Sequence, residues 1–231
     1  MLKRLVLAAA AVVIVPAAVQ AQSFQENFDS LGTPGTSTLN FNSFPSFTAT
    51  GNVDLVQSGD YGITCAGGSG KCIDLDGTTG PGGLISSAIA YTAGQTFTIS
   101  FAVSGNQRAA GQTDDFSFSA DFGQALTFDG TCSSNVGCFP GTYTQTGTGT
   151  FSYLFGGADP FQTFTFTLTP HASGLMTLNF GTTSADNIGP ILDNVSVQGV
   201  PEPATWGLVI LGFGAVGGSM RRRSAKVAFA A

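Results

Sequence analysis

Residues 96–103, Thr-Phe-Thr-Ile-Ser-Phe-Ala-Val, decide the fold class of this chain. Their apolar residues, Phe97, Ile99, Phe101 and Val103, alternate with small or polar ones. A period of two is typical of a strand with one face in a core and the other in water. Residues 163–169, Thr-Phe-Thr-Phe-Thr-Leu-Thr, show the same alternation, and both threonine and phenylalanine are favoured in strands. The two runs therefore predict half-buried strands.

The alternation continues over residues 116–122 and 176–180, and clusters of Gly, Pro, Asn and Asp separate the runs. Such clusters are typical of turns. We find no convincing amphipathic helix between residues 22 and 199. Many short strands of this kind favour two packed antiparallel sheets. We therefore predict an all-β fold, a two-sheet antiparallel jelly-roll-like sandwich, over residues 22–199.

Residues 1–21 predict a secretory signal peptide with a short signal helix. A cationic start precedes an apolar run over residues 5–15, Pro16 breaks the run, and small residues lead to a cleavage site between Ala21 and Gln22. The alternative is an uncleaved membrane anchor. The apolar run is shorter than the roughly 20 residues that a membrane span needs, which favours the cleaved signal.

Residues 200–223 predict a second targeting element. Residues 200–206, which include Pro201, Glu202 and Pro203, predict an extended, helix-resistant hinge, because each proline fixes its own φ and disfavours a helical conformation in the residue before it. An uncharged, apolar run from Trp206 to Met220 follows, and three arginines end it: Arg221, Arg222 and Arg223. A tryptophan at one end and arginines at the other are typical of a membrane-spanning helix whose arginines lie in the cytoplasm.

The length of this apolar run makes the predicted span a weak one. About 15 helical residues extend roughly 23 Å, whereas the hydrocarbon core of a bilayer is about 30 Å thick. We therefore expect a single short helix that anchors the chain in the inner membrane only temporarily, followed by a cytoplasmic tail over residues 224–231.

The tail PEPATWGLVILGFGAVGGSMRRR resembles the PEP-CTERM sorting signal of Gram-negative bacteria, in the variant with Trp after the Pro-Glu-Pro box. Gly207 departs from that variant, which usually has Ala there. The resemblance implies recognition by an exosortase, cleavage near the box, and a cell that makes exopolysaccharide. It implies export through the inner membrane, transient anchoring, and a final location at the cell surface or outside the cell.

The body between the two targeting ends is strongly anionic. Residues 22–199 hold 13 acidic side chains and only two basic ones, Lys71 and Arg108. An anionic surface argues against nucleic-acid binding, because phosphates need cationic partners. It is compatible with neutral sugars or divalent cations.

The four cysteines form two close pairs in the sequence. Export makes disulfides plausible, and four cysteines allow three pairings. We favour the two local bonds, Cys65–Cys72 and Cys132–Cys138, because each pair brackets a Gly- or Ser-rich loop. A zinc site is the rival interpretation, but the chain has one His and lacks the spacing of a zinc knuckle.

The body also resembles the galactose-binding-like jelly rolls of carbohydrate-binding modules. The resemblance depends on three short segments: residues 26–29 (Glu-Asn-Phe-Asp), 74–77 (Asp-Leu-Asp-Gly) and 191–197 (Ile-Leu-Asp-Asn-Val-Ser-Val). It implies a structural calcium ion between the first and last strands, with Asp193 and either Glu26 or Asp29 as ligands.

The position of Asp193 suggests a bound cation independently of the family resemblance. On the predicted last strand it shares a face with Ile191, Val195 and Val197, which should point inward. A carboxylate on a core face needs a cation or several N–H donors, and Ca²⁺ is served by oxygen ligands. The alternative is that Asp193 caps backbone N–H groups at a bulge or lies at the domain edge. Asp74 and Asp76 are interpreted more simply as solvated turn residues, and a metal-binding role for them is the alternative.

Asn106, Gln107 and Arg108 are the candidate ligand-binding residues. They follow a predicted strand, and amides and a guanidinium are good hydrogen-bonding partners for a sugar or a carboxylate. The alternative is a polar loop tip.

Catalysis has little support, because the only His follows Pro170 in a loop and the adjacent Asp114 and Asp115 should point to opposite faces of a strand.

The sequence therefore predicts a non-catalytic, exosortase-sorted protein of the cell envelope or extracellular matrix, associated with exopolysaccharide. A carbohydrate-binding module for a neutral polysaccharide is the alternative, and a glycoside hydrolase is the third hypothesis.

Overall fold

The computed structural model describes residues 23–122, 128–133, 149–199 and 203–221. The predicted signal peptide, with Ala21 and Gln22, lies outside the described residues. Within these ranges the chain forms fourteen strands and one α-helix, with short 3₁₀ turns at Asp60–Gly62 and Ala66–Gly68. In chain order the elements are β1 (Phe24–Glu26), β2 (Phe47–Gly51), β3 (Asp54–Gln57), β4 (Lys71–Asp74), β5 (Asp76–Gly77), β6 (Gly80–Ser86), β7 (Ile89–Tyr91), β8 (Phe97–Ser104), β9 (Thr113–Asp121), β10 (Phe128–Ser133), β11 (Gly149–Gly156), β12 (Gln162–Pro170), β13 (Gly174–Gly181), β14 (Ile191–Gly199) and α1 (Pro203–Arg221).

The strands form two antiparallel seven-stranded sheets, which confirms the predicted sandwich. The first has the order β10-β12-β8-β14-β4-β3, with β1 beside β14. The second has the order β11-β9-β13-β6-β2, with β5 beside β6 and β7 beside β13. Neighbours in each sheet are mostly remote in sequence, so most of the pairing is non-local.

The core between the sheets is built by the alternation that the sequence shows. On β8 the side chains of Phe97, Ile99, Phe101 and Val103 are all buried. Phe101 packs against Phe118 of the other sheet, with ring centroids 4.7 Å apart. Aromatic pairs in such tilted geometries add to the stabilisation that burial alone provides.

A bulge in the last strand corrects the predicted position of Asp193. The register of β14 against β8 shifts between Asp193 and Ser196, and Asn194 adopts a positive φ of 51°. Val195 and Val197 lie in the central core, whereas Ile191 belongs to a second cluster, outside the sheet, with Cys65 and Cys72. The extra residue of a bulge reverses the facing of the side chains beyond it. The predicted common face is therefore wrong, and Asp193 lies on the side of Ile191.

One predicted disulfide is confirmed. Cys65 and Cys72 are bonded, with an S–S distance of 2.07 Å, and both are buried. The bond closes the turn Ala66–Gly68 over the outer face of the first sheet. The second predicted bond, Cys132–Cys138, lies outside the described side chains and stays a prediction.

Candidate functional site

The loop of residues 105–112, between β8 and β9, holds the three predicted ligand-binding residues. Asn106 is fully buried. Its Nδ2 donates to Oδ2 of Asp114 at 2.7 Å, and its Oδ1 accepts the backbone N–H groups of Arg108 and Ala109. The Asn106 amide therefore holds its own loop against the start of β9.

Gln107 joins the same loop to the segment before the disulfide. Its φ is +60°, a left-handed conformation that few residues other than glycine adopt. Its Oε1 accepts the N–H of Thr64 at 2.9 Å, and its Nε2 donates to the Thr64 carbonyl and to Oγ of Ser104. Every polar atom of this side chain thus has a partner within the protein.

Arg108 makes an ion pair with a buried carboxylate. Its Nη2 donates to Oδ2 of Asp74 at 2.8 Å and to the carbonyl of Asn187 at 2.7 Å. The other oxygen of Asp74 accepts the N–H groups of Gly189 and Asp76. Burial raises the pKa of Asp74 to about 7, although these N–H groups and the guanidinium act to lower it. A desolvated carboxylate of this kind depends on its cation.

The loop of residues 182–190, between β13 and β14, is fastened by two further buried carboxylates. Asp76 is 0% exposed, and its Oδ2 accepts the N–H groups of Asp186 and Asn187 at 2.9 and 3.0 Å. Asp114 is 1% exposed and accepts from the hydroxyl of Ser184. Burial raises the pKa of both carboxyls.

Together these groups define one end of the sandwich, which we call the acidic end: Asp74, Asp76, Asp114, Asp115 and Asp186, with Asn106 and Arg108. The residues come from four separate parts of the chain. The interpretation of Asp74 and Asp76 as solvated turn residues is wrong, because both are buried. Two features of the sequence could have indicated this burial. The carboxylates lie within a strand-like apolar segment, and an arginine elsewhere in the chain could pair with one of them.

The three predicted calcium ligands lie around the end of β1 and the bulge of β14. The predicted adjacency of the first and last strands is correct, since Glu26 pairs with Val195. Glu26 accepts the N–H of Phe28 at 2.9 Å, and Asp29 accepts the N–H of Lys71 at 2.7 Å. Two of the three carboxylates are thus bound to backbone N–H groups.

The third carboxylate, Asp193, behaves as the capping alternative describes. Oδ1 accepts the N–H of Asn194 at 2.7 Å and Oδ2 accepts that of Ala66 at 3.0 Å. Burial, together with the negative charge of Asp29, raises the pKa of Asp193 to about 7, although the two N–H groups act to lower it. Within the described ranges, no three His, Cys, Asp or Glu side chains are arranged to hold a metal ion. The calcium site stays a prediction.

The end of the chain decides how the protein is sorted. Residues 199–223 match the family model of the PEP-CTERM protein-sorting motif. The chain carries a PEP-CTERM sorting signal. This signal indicates an exported protein that an exosortase sorts, as the resemblance of the tail implies.

Only part of the PEP-CTERM signal can be described in structural terms. Its helix, α1, runs from Pro203 to Arg221 and includes Trp206. The predicted extended hinge is therefore wrong from Pro203 onward, because a proline is tolerated in the first turn of a helix. Pro201, Glu202, Arg222 and Arg223 lie outside the described residues. Val209, Ile210, Leu211 and Phe213 on α1 are exposed. No helix in the described part of the chain is long and apolar enough to cross a membrane, so the predicted span is not confirmed.

Several solved structures resemble the chain. The CBM22-1 xylan-binding domain of Paenibacillus barcinonensis Xyn10C shares 12% identity, with 80% of this chain and 99% of that chain covered and a TM-score of 0.43. A cyclase from Fischerella sp. TAU shares 10% identity over 78% and 98%, with a TM-score of 0.39. A CBM35 from Paenibacillus barcinonensis shares 15% identity over 71% and 98%, with a TM-score of 0.25. These scores are low, so the likenesses carry no functional conclusion. The comparison with curated proteins gives no match.

Proposed function

We propose that this protein is a non-catalytic component of the cell envelope or extracellular matrix, associated with exopolysaccharide and delivered by exosortase processing. The PEP-CTERM signal at residues 199–223 carries the proposal. The inner membrane would hold the chain through α1 until cleavage near the Pro-Glu-Pro box. The body would then leave the membrane for the cell surface or the matrix.

The contacts of the acidic end support a structural body. Asn106, Gln107 and Arg108 donate to or accept from groups on other segments of the same chain. Side chains that bind a ligand need hydrogen-bonding groups that are free to exchange water for ligand. Two tyrosines that could stack on sugar rings, Tyr91 and Tyr153, instead pack against the aromatic core. These five residues therefore serve the fold, whereas Tyr61 is exposed.

Sorting can be tested in the producing cell. In a variant with Pro201, Glu202 and Pro203 all changed to Ala, the processing enzyme would lose its recognition box. We expect the unprocessed chain to accumulate in the membrane fraction, while the unaltered protein is recovered, shortened, from the surface and medium. Pro34→Ala, at an exposed loop position, is the control and should be sorted normally. Normal release of the triple variant would contradict the proposal.

The carbohydrate-binding alternative has its own test. Purified protein is passed over gels of the exopolysaccharide, and retention is compared between the unaltered chain and Arg108→Lys, which keeps the charge near Asp74. Retention that requires the guanidinium in a folded variant would favour a binding module with its site at residues 106–108. If the body has only a structural role, we expect the two proteins to be retained equally.

A further inference from the structure

One oxygen of Asp76 stands apart from the other buried carboxylate oxygens of the acidic end. Oδ2 accepts the backbone N–H groups of Asp186 and Asn187, and the N–H of Ile188 also acts on the carboxyl. Oδ1 is buried, and in the described part of the structure no donor lies within hydrogen-bond geometry of it. Asp76 is 0% exposed. A buried polar atom without a partner costs free energy unless something else satisfies it. The position therefore calls for a donor or a cation.

The charges around Asp76 favour a cation. The negative charge of Asp186 acts on both Asp76 and Asp114, and that of Asp115 acts on Asp114. Arg108, the cation of this end, is already bound to Asp74. Asp115 is held by the N–H and hydroxyl of Thr183, and Asp114 by Asn106 and Ser184. Among the described residues, none donates to Asp76 Oδ1 in this way.

Asp186 supplies a route for an ion from solvent. It is exposed, on the loop whose backbone wraps Asp76. An ion bound between a buried oxygen and an exposed carboxylate would tie the loop of residues 182–190 to β5. Hard divalent cations bind carboxylate and carbonyl oxygens together with water. Two carboxylates are enough for a weak site completed in that way.

We propose that Asp76 Oδ1 and the carboxylate of Asp186 bind a calcium ion at the rim of the acidic end. No set of three acidic, His or Cys side chains in the described ranges is arranged around a metal, so water completes the coordination in this proposal. Few protein charges and a loop ligand place the affinity in the range of extracellular modules, with a Kd of about 10⁻⁴–10⁻³ M. The site is separate from the predicted one at Glu26, Asp29 and Asp193, and it does not depend on the proposed sorting function.

Thermal unfolding of the full chain tests the site. The chelator-treated protein is melted near neutral pH with increasing calcium, up to about ten times the expected Kd. At that concentration we expect a melting temperature higher by roughly 2–5 °C. Asp186→Asn removes one ligand at an exposed position and should lose this increment. The comparison uses the increment on adding calcium, so a change in the basal stability of the variant does not obscure it.

Two control variants show whether the increment belongs to Asp76 and Asp186. Asp60→Asn makes the same charge change at a carboxylate that binds Ser37, and it should keep the full increment. Asp193→Asn removes the sequence-predicted ligand and should also keep it. An increment that disappears in Asp193→Asn but persists in Asp186→Asn would overturn the proposal, as would no increment in the unaltered protein.

Acid provides a further discriminating condition. The increment on adding calcium should disappear once the carboxylates are protonated, and an increment that persists in acid would overturn the proposal. Calorimetric titration of the full chain with calcium gives an independent readout, in which Asp186→Asn should lose one binding site. A titration that is identical in the unaltered protein and in Asp186→Asn would contradict the assignment of Asp186 as a ligand.

Discussion

The carboxylate of Asp193 accepts the backbone N–H of Ala66 at 3.0 Å, across 127 residues of sequence. This bond connects the bulge of the last strand to the turn that the Cys65–Cys72 disulfide closes. The fold thus fastens its final strand to its first half on the outer face of the first sheet. At the acidic end, Arg108 and Asp74 make a comparable long-range connection.

Replacing Asp193 should destabilise the protein, and Ala should destabilise it more than Asn. Asp193→Ala removes both acceptors and leaves the N–H groups of Ala66 and Asn194 without their partners, so we expect a loss of about 1–3 kcal/mol. Asp193→Asn keeps one oxygen and should lose less. Urea unfolding measures both values, and Gln198→Ala, exposed on the same strand, is the control. A stability of Asp193→Ala equal to that of the control would show that the cap does not matter.

The stability of the protein should rise on mild acidification. Burial raises the pKa of Asp193 from 3.8 to about 7, so the folded state binds a proton more tightly than the unfolded state. The contribution of this carboxyl is therefore fully present below pH 3.8 and is lost as the pH rises through about 7. Burial also raises the pKa of Asp74, so its contribution to stability changes with pH in the same direction. We expect the free energy of unfolding to fall from about pH 4.5 to about pH 7.5, less steeply in Asp193→Asn. Identical slopes would contradict the assignment.

Arg108 should matter for stability because its partner is buried. Arg108→Ala leaves Asp74 desolvated and without its cation, which we expect to cost about 2–4 kcal/mol. Combining it with Asp74→Asn removes the uncompensated charge, so the double variant should be less destabilised than the two single losses added together. Equilibrium unfolding of the four proteins measures this coupling. Additive effects would show that the ion pair is not a unit.

The Cys65–Cys72 bond should contribute modestly. A short closed loop is worth roughly 2–2.5 kcal/mol in the chain-entropy model. Replacing both cysteines with Ala should lower the free energy of unfolding by about that amount and leave the circular-dichroism spectrum of the sandwich unchanged. Loss of the β spectrum would mean that the bond is required for the fold.

The sequence could predict the features that depend on local patterns. Alternation on β8 and β12 identifies half-buried strands, since the side-chain period of a strand is two. Cys65 and Cys72 are bonded as their spacing indicates, and the tail carries the sorting motif in the expected place. In each case the deciding residues are close together in the chain.

The features that the sequence could not predict depend on long-range contacts. The bulge at residues 193–196 reverses the facing of Asp193, and a shift of one residue leaves no mark in the composition of the strand. Residues 106–108 have the composition of a polar loop tip, but their partners are Thr64, Asp74 and Asp114. Those contacts exist only once the loops meet at one end of the sandwich.

Mass spectrometry of the protein recovered from the producing cells tests whether a disulfide-bonded β body is exported and then sorted. We expect a chain that begins at Gln22, ends near the Pro-Glu-Pro box, lies in the surface or medium fraction, and holds Cys65 and Cys72 in one bonded peptide pair. A chain found in the cytosol with both ends intact and both thiols reduced would contradict it.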